Sequence, residues 1–320
     1  MFVGAKLKAS PLRPGDTVGI VAPASFFPRD QFDLGCEQLR RMGYLPFWLP
    51  SIFDRDLYFA GSAVRRAREL EEMFQREEVR AILCARGGYG SNYLLPEIDL
   101  DIIRRYPKIF IGYSDITTLL TYFYDAAGLV GFQGPMVVTD LSSPDSLDTC
   151  SWNAALSGRE RWTAQSDNQP SVLKEGHAEG VLYGGCLSML VASLGTPYEI
   201  QTAGTILFLE DLATKPYQID RMLKQLEAAG KLREVNGIIF GEMIDCFQPG
   251  GQIYDLTEVI LRALAGVHVP MIFGFSSGHV RNKNVTLPVG VRVRLIAEGS
   301  PQLEILESAT SAETAAGAGE

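Results

Sequence analysis

Lys108–Phe123, KIFIGYSDITTLLTYF, is the stretch around which the chain is organised. Ile109, Phe110 and Ile111 form an apolar run with no polar break, the pattern of a strand covered on both faces. Ile116, Leu119, Leu120 and Phe123 then recur at i, i+3, i+4 and i+7, which is one face of a helix. Between strand and helix stands Gly112-Tyr113-Ser114-Asp115. A serine on such a turn is pushed out of the sheet with its hydroxyl exposed, and the amide after it points the same way. This is a nucleophile-elbow arrangement, although the G-x-S-x-G spelling is absent and Asp115 replaces a small residue. A plainer role suits the same residues: Ser114 or Asp115 can cap the helix, and Asp115 complements its dipole.

The flanking sequence repeats the alternation of strand and helix. Thr17–Ala22 (TVGIVA) reads as a buried strand, Gln31–Met42 as a helix closed by Gly43, and Tyr44–Leu49 as a strand. Val64–Gln75 reads as a charged helix and Val79–Ala85 as the next strand, so a parallel α/β sheet with right-handed crossovers is expected. That strand runs into Arg86-Gly87-Gly88-Tyr89-Gly90-Ser91. Neither the P-loop nor the G-x-G-x-x-G spacing is present. A turn that donates backbone amides to an oxyanion fits better, and an ordinary glycine-rich turn is the alternative.

Length and composition frame these readings. The 320 residues are comfortable for two domains, and 46% hydrophobic with 21% charged residues is an ordinary globular balance. A formal charge of −9 without a Lys/Arg run argues against nucleic acid and anionic membranes as partners. No apolar run approaches the roughly 20 residues of a spanning helix, and the N-terminus lacks an export pattern. A cytoplasmic protein is expected. The five cysteines are scattered and form no C-x-x-C pair, so neither a disulfide framework nor a zinc site is indicated. Cys186, after Gly184-Gly185, is the one thiol placed where a second nucleophile could sit, but no histidine lies close to it in sequence.

The expected organisation is an N-terminal α/β domain over 1–157, a polar link over 158–179, a smaller C-terminal α/β domain over 180–307 and a disordered tail over 308–320. In the second domain, Thr205–Leu209 reads as a strand ending in Glu210-Asp211, and Met271–Phe275 as a strand leading to Ser276-Ser277-Gly278-His279. A serine nucleophile needs a base, and the base needs a group that fixes its tautomer. Of the three histidines, His177 falls in the link, His268 is hemmed by Val267 and Val269, and His279 follows a strand. Ser114, Glu210 and His279 thus all stand at strand ends, with Asp211 the competitor to Glu210. Taken singly, each also suits a surface or capping role.

Several motifs together resemble the LD-carboxypeptidase family, which includes the muramoyltetrapeptide carboxypeptidases and the related microcin-immunity peptidases. They are GDTVGIVAPAS at 15–25, RGGYGS at 86–91, PKIFIGYSDIT at 107–117, GVLYGGCLSML at 180–190, LGTP at 194–197, ILFLED with PYQIDRML in 206–223, and GHVRNKNVTLPVG at 278–290. The resemblance implies Ser114 as nucleophile, His279 as general base and Glu210 as its orienting carboxylate. It implies an oxyanion hole from the amides of Gly88 and Asp115, and an active site in the groove between two α/β domains. The implied reaction releases the terminal D-alanine of murein tetrapeptide by cleaving an L,D-amide, without metal or cofactor, in a homodimer. Two alternatives stay open: an immunity-type peptidase acting on a peptidyl-nucleotide antibiotic, and a catalytically silent peptide-binding protein. Arg86 is the candidate for holding the substrate carboxylate, with a structural ion pair as its other reading. Three positions depart from the family pattern: Cys186 stands where Asn is common, Gln133 where His is common, and Thr214 where an acid is often seen.

Overall fold

The computed structural model describes residues 4–143, 145–248, 250 and 254–312. Its first half alternates as the hydrophobic runs predict: β1 (Thr17–Val21), α1 (Arg29–Arg41), β2 (Leu45–Phe47), α2 (Ala63–Gln75), β3 (Val79–Cys84), α3 (Leu100–Arg105), β4 (Ile109–Gly112), α4 (Thr117–Ala127), β5 (Gly131–Gln133) and α5 (Thr149–Leu156). The five strands pair in parallel in the order β5-β4-β3-β1-β2. Every residue of β4 is buried, which explains its unbroken apolar run. Parallel pairing sends the turns after β1, β3, β4 and β5 to one sheet edge, where α/β sheets place their ligands.

The second half contains β6 (Trp162–Ala164), β7 (Ser171–Lys174), β8 (Gly176–Cys186), α6 (Leu187–Ala192), β9 (Thr205–Glu210), α7 (Pro216–Ala228), β10 (Gly237–Gly241), α8 (Leu256–Ala263), β11 (Met271–Phe275), β12 (Leu287–Val289), β13 (Arg292–Ala297) and β14 (Gln302–Ile305). An eight-stranded sheet runs β6-β14-β13-β8-β9-β10-β11-β7, with β8 to β11 mutually parallel. Cys186 is in register with Glu210 at the carboxyl ends of β8 and β9. The turn that carries His279 leaves the same edge, from the end of β11.

Three expectations of organisation need correction. Segment 158–179 is not an irregular link: it supplies both edge strands of the second sheet, β6 and β7, and the start of β8. His177 therefore lies on a strand, in register with Ile296, although its side chain is exposed and faces Glu298 at 3.2 Å. The C-terminal half also lends β12 to the first sheet, antiparallel to β5, with Leu287 opposite Gln133. Finally, the stretch after β14 is packed as far as residue 312. Ala309 and Thr310 are buried, and the Ser311 amide donates to the Ala9 carbonyl at 2.8 Å. Residues 313–320 of the expected tail lie outside the described residues.

Candidate active site

Ser114 sits two residues past the end of β4 with φ +63°, a left-handed conformation that a non-glycine residue adopts only when its surroundings impose it. A short 3-10 turn, Ser114–Ile116, leads into α4. The neighbouring glycines explain how the turn fits. A Cβ on Gly87 would lie 2.8 Å from Ser114 Cβ and 3.0 Å from its Oγ, so the turn after β3 passes directly against the serine. Gly88, at φ +105°, has Ser25 Oγ 2.5 Å from where its own Cβ would stand. The Ser25 hydroxyl in turn accepts from the Tyr89 amide at 3.1 Å.

Asp115 does not cap its own helix. Its Oδ2 accepts from the Ser91 amide at 2.8 Å, and Ser91 Oγ donates to the Asp115 carbonyl at 2.7 Å, a buried reciprocal pair joining the two turns. Burial raises the pKa of the Asp115 carboxyl, with the Ser91 hydrogen bonds opposing it. Buried Arg66 braces the same region by donating to the carbonyls of Gly61, Pro23 and Gly90. Nothing in its sequence context marks it, because these hydrogen-bond partners are backbone carbonyls and its guanidinium otherwise stacks over the Phe59 ring, 5.0 Å from the centroid.

His279 and Glu210 meet as the strand-end reading predicts. His279 Nδ1 lies 2.6 Å from Glu210 Oε2, which also accepts from the His279 amide at 3.2 Å. Glu210 is fully buried and wrapped by glycines: a Cβ on Gly241 would lie 2.6 Å from its Cβ, and one on Gly278 would lie 2.8 Å from its Cδ. Burial pulls the His279 pKa down, but Glu210, helped by Asp211 and Asp140, outweighs that and raises it above the ordinary 6.5. Tyr113 stands edge-on to the imidazole, with ring centroids 5.1 Å apart.

Arg86, Gly88, Ser114, Asp115, Cys186 and His279 all line one cleft of about 340 Å³, and Glu210 lies behind His279. The structure thus gathers all six predicted site residues. Arg86 is half-buried; one terminal nitrogen donates to the Phe26 carbonyl at 3.2 Å, and its buried Nε has no protein partner. No carboxylate of the described residues forms an ion pair with it, so the structural-pair reading of Arg86 finds no support.

The competing residues are accounted for by their contacts. The Cys186 thiol is buried 3.3 Å from Ser188 Oγ, and burial with the nearby acids Glu210 and Asp211 pushes its pKa well up. A neutral, buried thiol is a poor nucleophile. The Asp211 carboxylate is occupied by the amides of Ser188 and Leu212, both at 2.9 Å, and by the Thr214 hydroxyl at 2.8 Å. Thr214, one of the three departures, therefore serves to close the turn after β9. Gln133 is buried below the elbow with neither amide atom hydrogen-bonded to protein. Among the described residues, no cluster of three or more His, Cys, Asp or Glu could hold a metal ion.

Comparison with known proteins gives the family. Residues 18–134 match the model of the LD-carboxypeptidase N-terminal domain and residues 179–295 that of its C-terminal domain. The chain belongs to the LD-carboxypeptidase family. A relative from Bacillus subtilis (strain 168), a probable murein peptide carboxypeptidase, is 37% identical over 291 residues, covering 90% of this chain and 91% of its own. The Escherichia coli microcin C7 self-immunity protein MccF is 31% identical over 323 residues, covering 90% and 93%. The crystal structure of muramoyltetrapeptide carboxypeptidase from Oxalobacter formigenes superposes with a TM-score of 0.81 at 28% identity, covering 91% of this chain and 99% of that one.

Proposed function

We propose that this chain is a serine-type L,D-carboxypeptidase that removes the terminal D-alanine from murein tetrapeptide during cell-wall recycling in the cytoplasm. The observation that carries the reading is the Glu210–His279 pair, which shares one cleft with Ser114 and with a guanidinium that has no carboxylate partner among the described residues. Glu210 holds the proton on Nδ1 and leaves Nε2 as the proton acceptor. His279 takes the Ser114 proton as Oγ attacks the scissile carbonyl and returns it to the departing amine. The Gly88 and Asp115 amides receive the developing oxyanion. Two relatives named above for murein peptides or muramoyltetrapeptide support the substrate class. The five cysteines are all free thiols, which fits a reducing compartment.

A substrate panel tests the reading. The kcat/KM for release of D-alanine from tetrapeptide is expected to exceed that for an L-alanine-terminated tetrapeptide by about a hundredfold, the cost of misplacing a reacting group by roughly 1 Å. D,D-pentapeptide should be a poor substrate. Equal rates on all three would leave a hydrolase without this specificity. Hydrolysis of a peptidyl-nucleotide alone would move the chain to the immunity branch.

Arg86 gives a second expected result. Charge-assisted hydrogen bonds to a substrate carboxylate are worth about 1.5–3 kcal/mol, so Arg86→Ala should lower kcat/KM about 10–100-fold, chiefly through KM. A substrate ending in a carboxamide should be nearly indifferent to the change. Equal losses on both substrates would assign Arg86 to structure.

A further inference from the structure

Asp140 lies outside every motif discussed above, yet it is fully buried and holds three hydrogen bonds that converge on the His279 region. Its Oδ2 accepts from the Met136 amide at 2.9 Å and from Thr139 Oγ1 at 2.8 Å. Its Oδ1 accepts from Asn284 Nδ2 at 3.1 Å, a contact that joins residues 144 positions apart. Asn284 is also fully buried and closes the loop that carries His279. Its Nδ2 donates to the Gly278 carbonyl at 3.0 Å, and its Oδ1 accepts from the Gly278 amide at 3.0 Å. On the other side, the Tyr113 hydroxyl donates to Thr139 Oγ1 at 3.3 Å, and the Tyr113 ring stands edge-on to His279. Asp140 thus reaches the imidazole by two routes: through its backbone by way of Asn284, and through its ring face by way of Thr139 and Tyr113. Tyr113 is also the residue before Ser114.

We propose that Asp140 is a positioning residue for the reaction, fixing His279 relative to Ser114 by clamping the Gly278–Asn284 loop of one half of the chain to the Tyr113–Ser114 turn of the other. The inference rests on the serine-triad reading above. The Met136 amide and the Asn284 Nδ2 that face the carboxylate can only donate, so it cannot be replaced neutrally. In Asp140→Asn, the new amide either turns its NH2 towards Asn284 Nδ2 or sets it against the Met136 amide, where only the Thr139 hydroxyl can reverse and accept. Flipping Asn284 does not help, because its oxygen would then face the Gly278 carbonyl and its NH2 the Gly278 amide. The loop must therefore relax, and His279 with it. Asp140 also acts on the charge of the imidazole, together with Glu210 and Asp211; Tyr113, Arg86, Asp115 and Cys186 are the remaining titratable or charged neighbours around the cleft.

The test compares wild type, Asp140→Asn, Asn284→Asp and the double exchange Asp140→Asn/Asn284→Asp. The readout is the second-order rate of Ser114 labelling by a fluorophosphonate from pH 5 to 9, a signal that needs no peptide substrate. Each single change is expected to slow labelling about 10–100-fold, the range set by misplacement of a catalytic group. In Asp140→Asn the acid limb should also move to lower pH, since a carboxylate that favours the imidazolium has gone. The double exchange restores the charge but sets a carboxylate oxygen against the Gly278 carbonyl, so it should return the limb towards its wild-type position while the rate stays low. Single variants that label like wild type, an Asp140→Asn that loses rate with an unmoved limb, or a double exchange whose limb stays with that of Asp140→Asn would each overturn the proposal. Absence of labelling in the wild type would instead remove the serine reading on which it rests.

Discussion

Ser114→Ala should lower D-alanine release by about a million-fold, because removing the nucleophile of a triad costs nearly as much as removing the whole triad. The left-handed backbone at Ser114 and its contact with Gly87 place the hydroxyl where neither helix nor sheet holds it. The side chain therefore has little structural work to lose. A fluorophosphonate should add to Ser114 in the wild type, read as one mass increment on the peptide containing GYSD, and should add nowhere in Ser114→Ala. Cys186→Ala, made beside it, should retain most of the activity. Full activity without Ser114, or an adduct on Cys186 alone, would remove the serine assignment.

The second large effect concerns the buried carboxylate. Glu210→Gln should cost about 10⁴ in kcat, since an amide can donate to Nδ1, select the wrong tautomer and leave an imidazolium uncompensated. The pH dependence gives the sign. His279 carries a pKa raised above 6.5 by Glu210, so wild-type kcat/KM should fall as pH drops through that raised value. In Glu210→Gln the raising charge is absent, burial continues to pull the value down, and the limb should move to lower pH. Ser114→Ala and Glu210→Gln combined should be scarcely worse than Ser114→Ala alone. A limb that stays in place in Glu210→Gln would mean that His279 does not govern it.

What could be read from the sequence follows from how far each signal travels along the chain. IFIG, VRAILC and TILFLE announced their strands because a strand buried between helices must be apolar at nearly every position. Ser114, Glu210 and His279 were legible for the same reason, each standing where such a run stops. The edge strands SVLK and WTA escaped notice because they are short and only partly covered, so their polar residues resemble a loop. Leu287-Pro288-Val289 was hidden by its proline, which a strand tolerates at the edge of a sheet, where β12 lies. The Asp140–Asn284 contact had no local signature at all. Asn284 lies within the 278–290 motif, but Asp140 looks like an ordinary loop polar group until tertiary folding brings the two together.

The return of β12 to the first sheet bears on how such proteins can recombine. Two sequence blocks, 18–134 and 179–295, look like cassettes to be exchanged between relatives to mix one elbow with another base. The second block, however, carries the outermost strand of the first sheet, and Leu287 and Val289 are buried there opposite Gln133 and Gly131. A chimera joined between the blocks would import a foreign edge strand along with its histidine. Shuffling should therefore yield folded offspring only when residues 131–133 and 287–289 are inherited from the same parent.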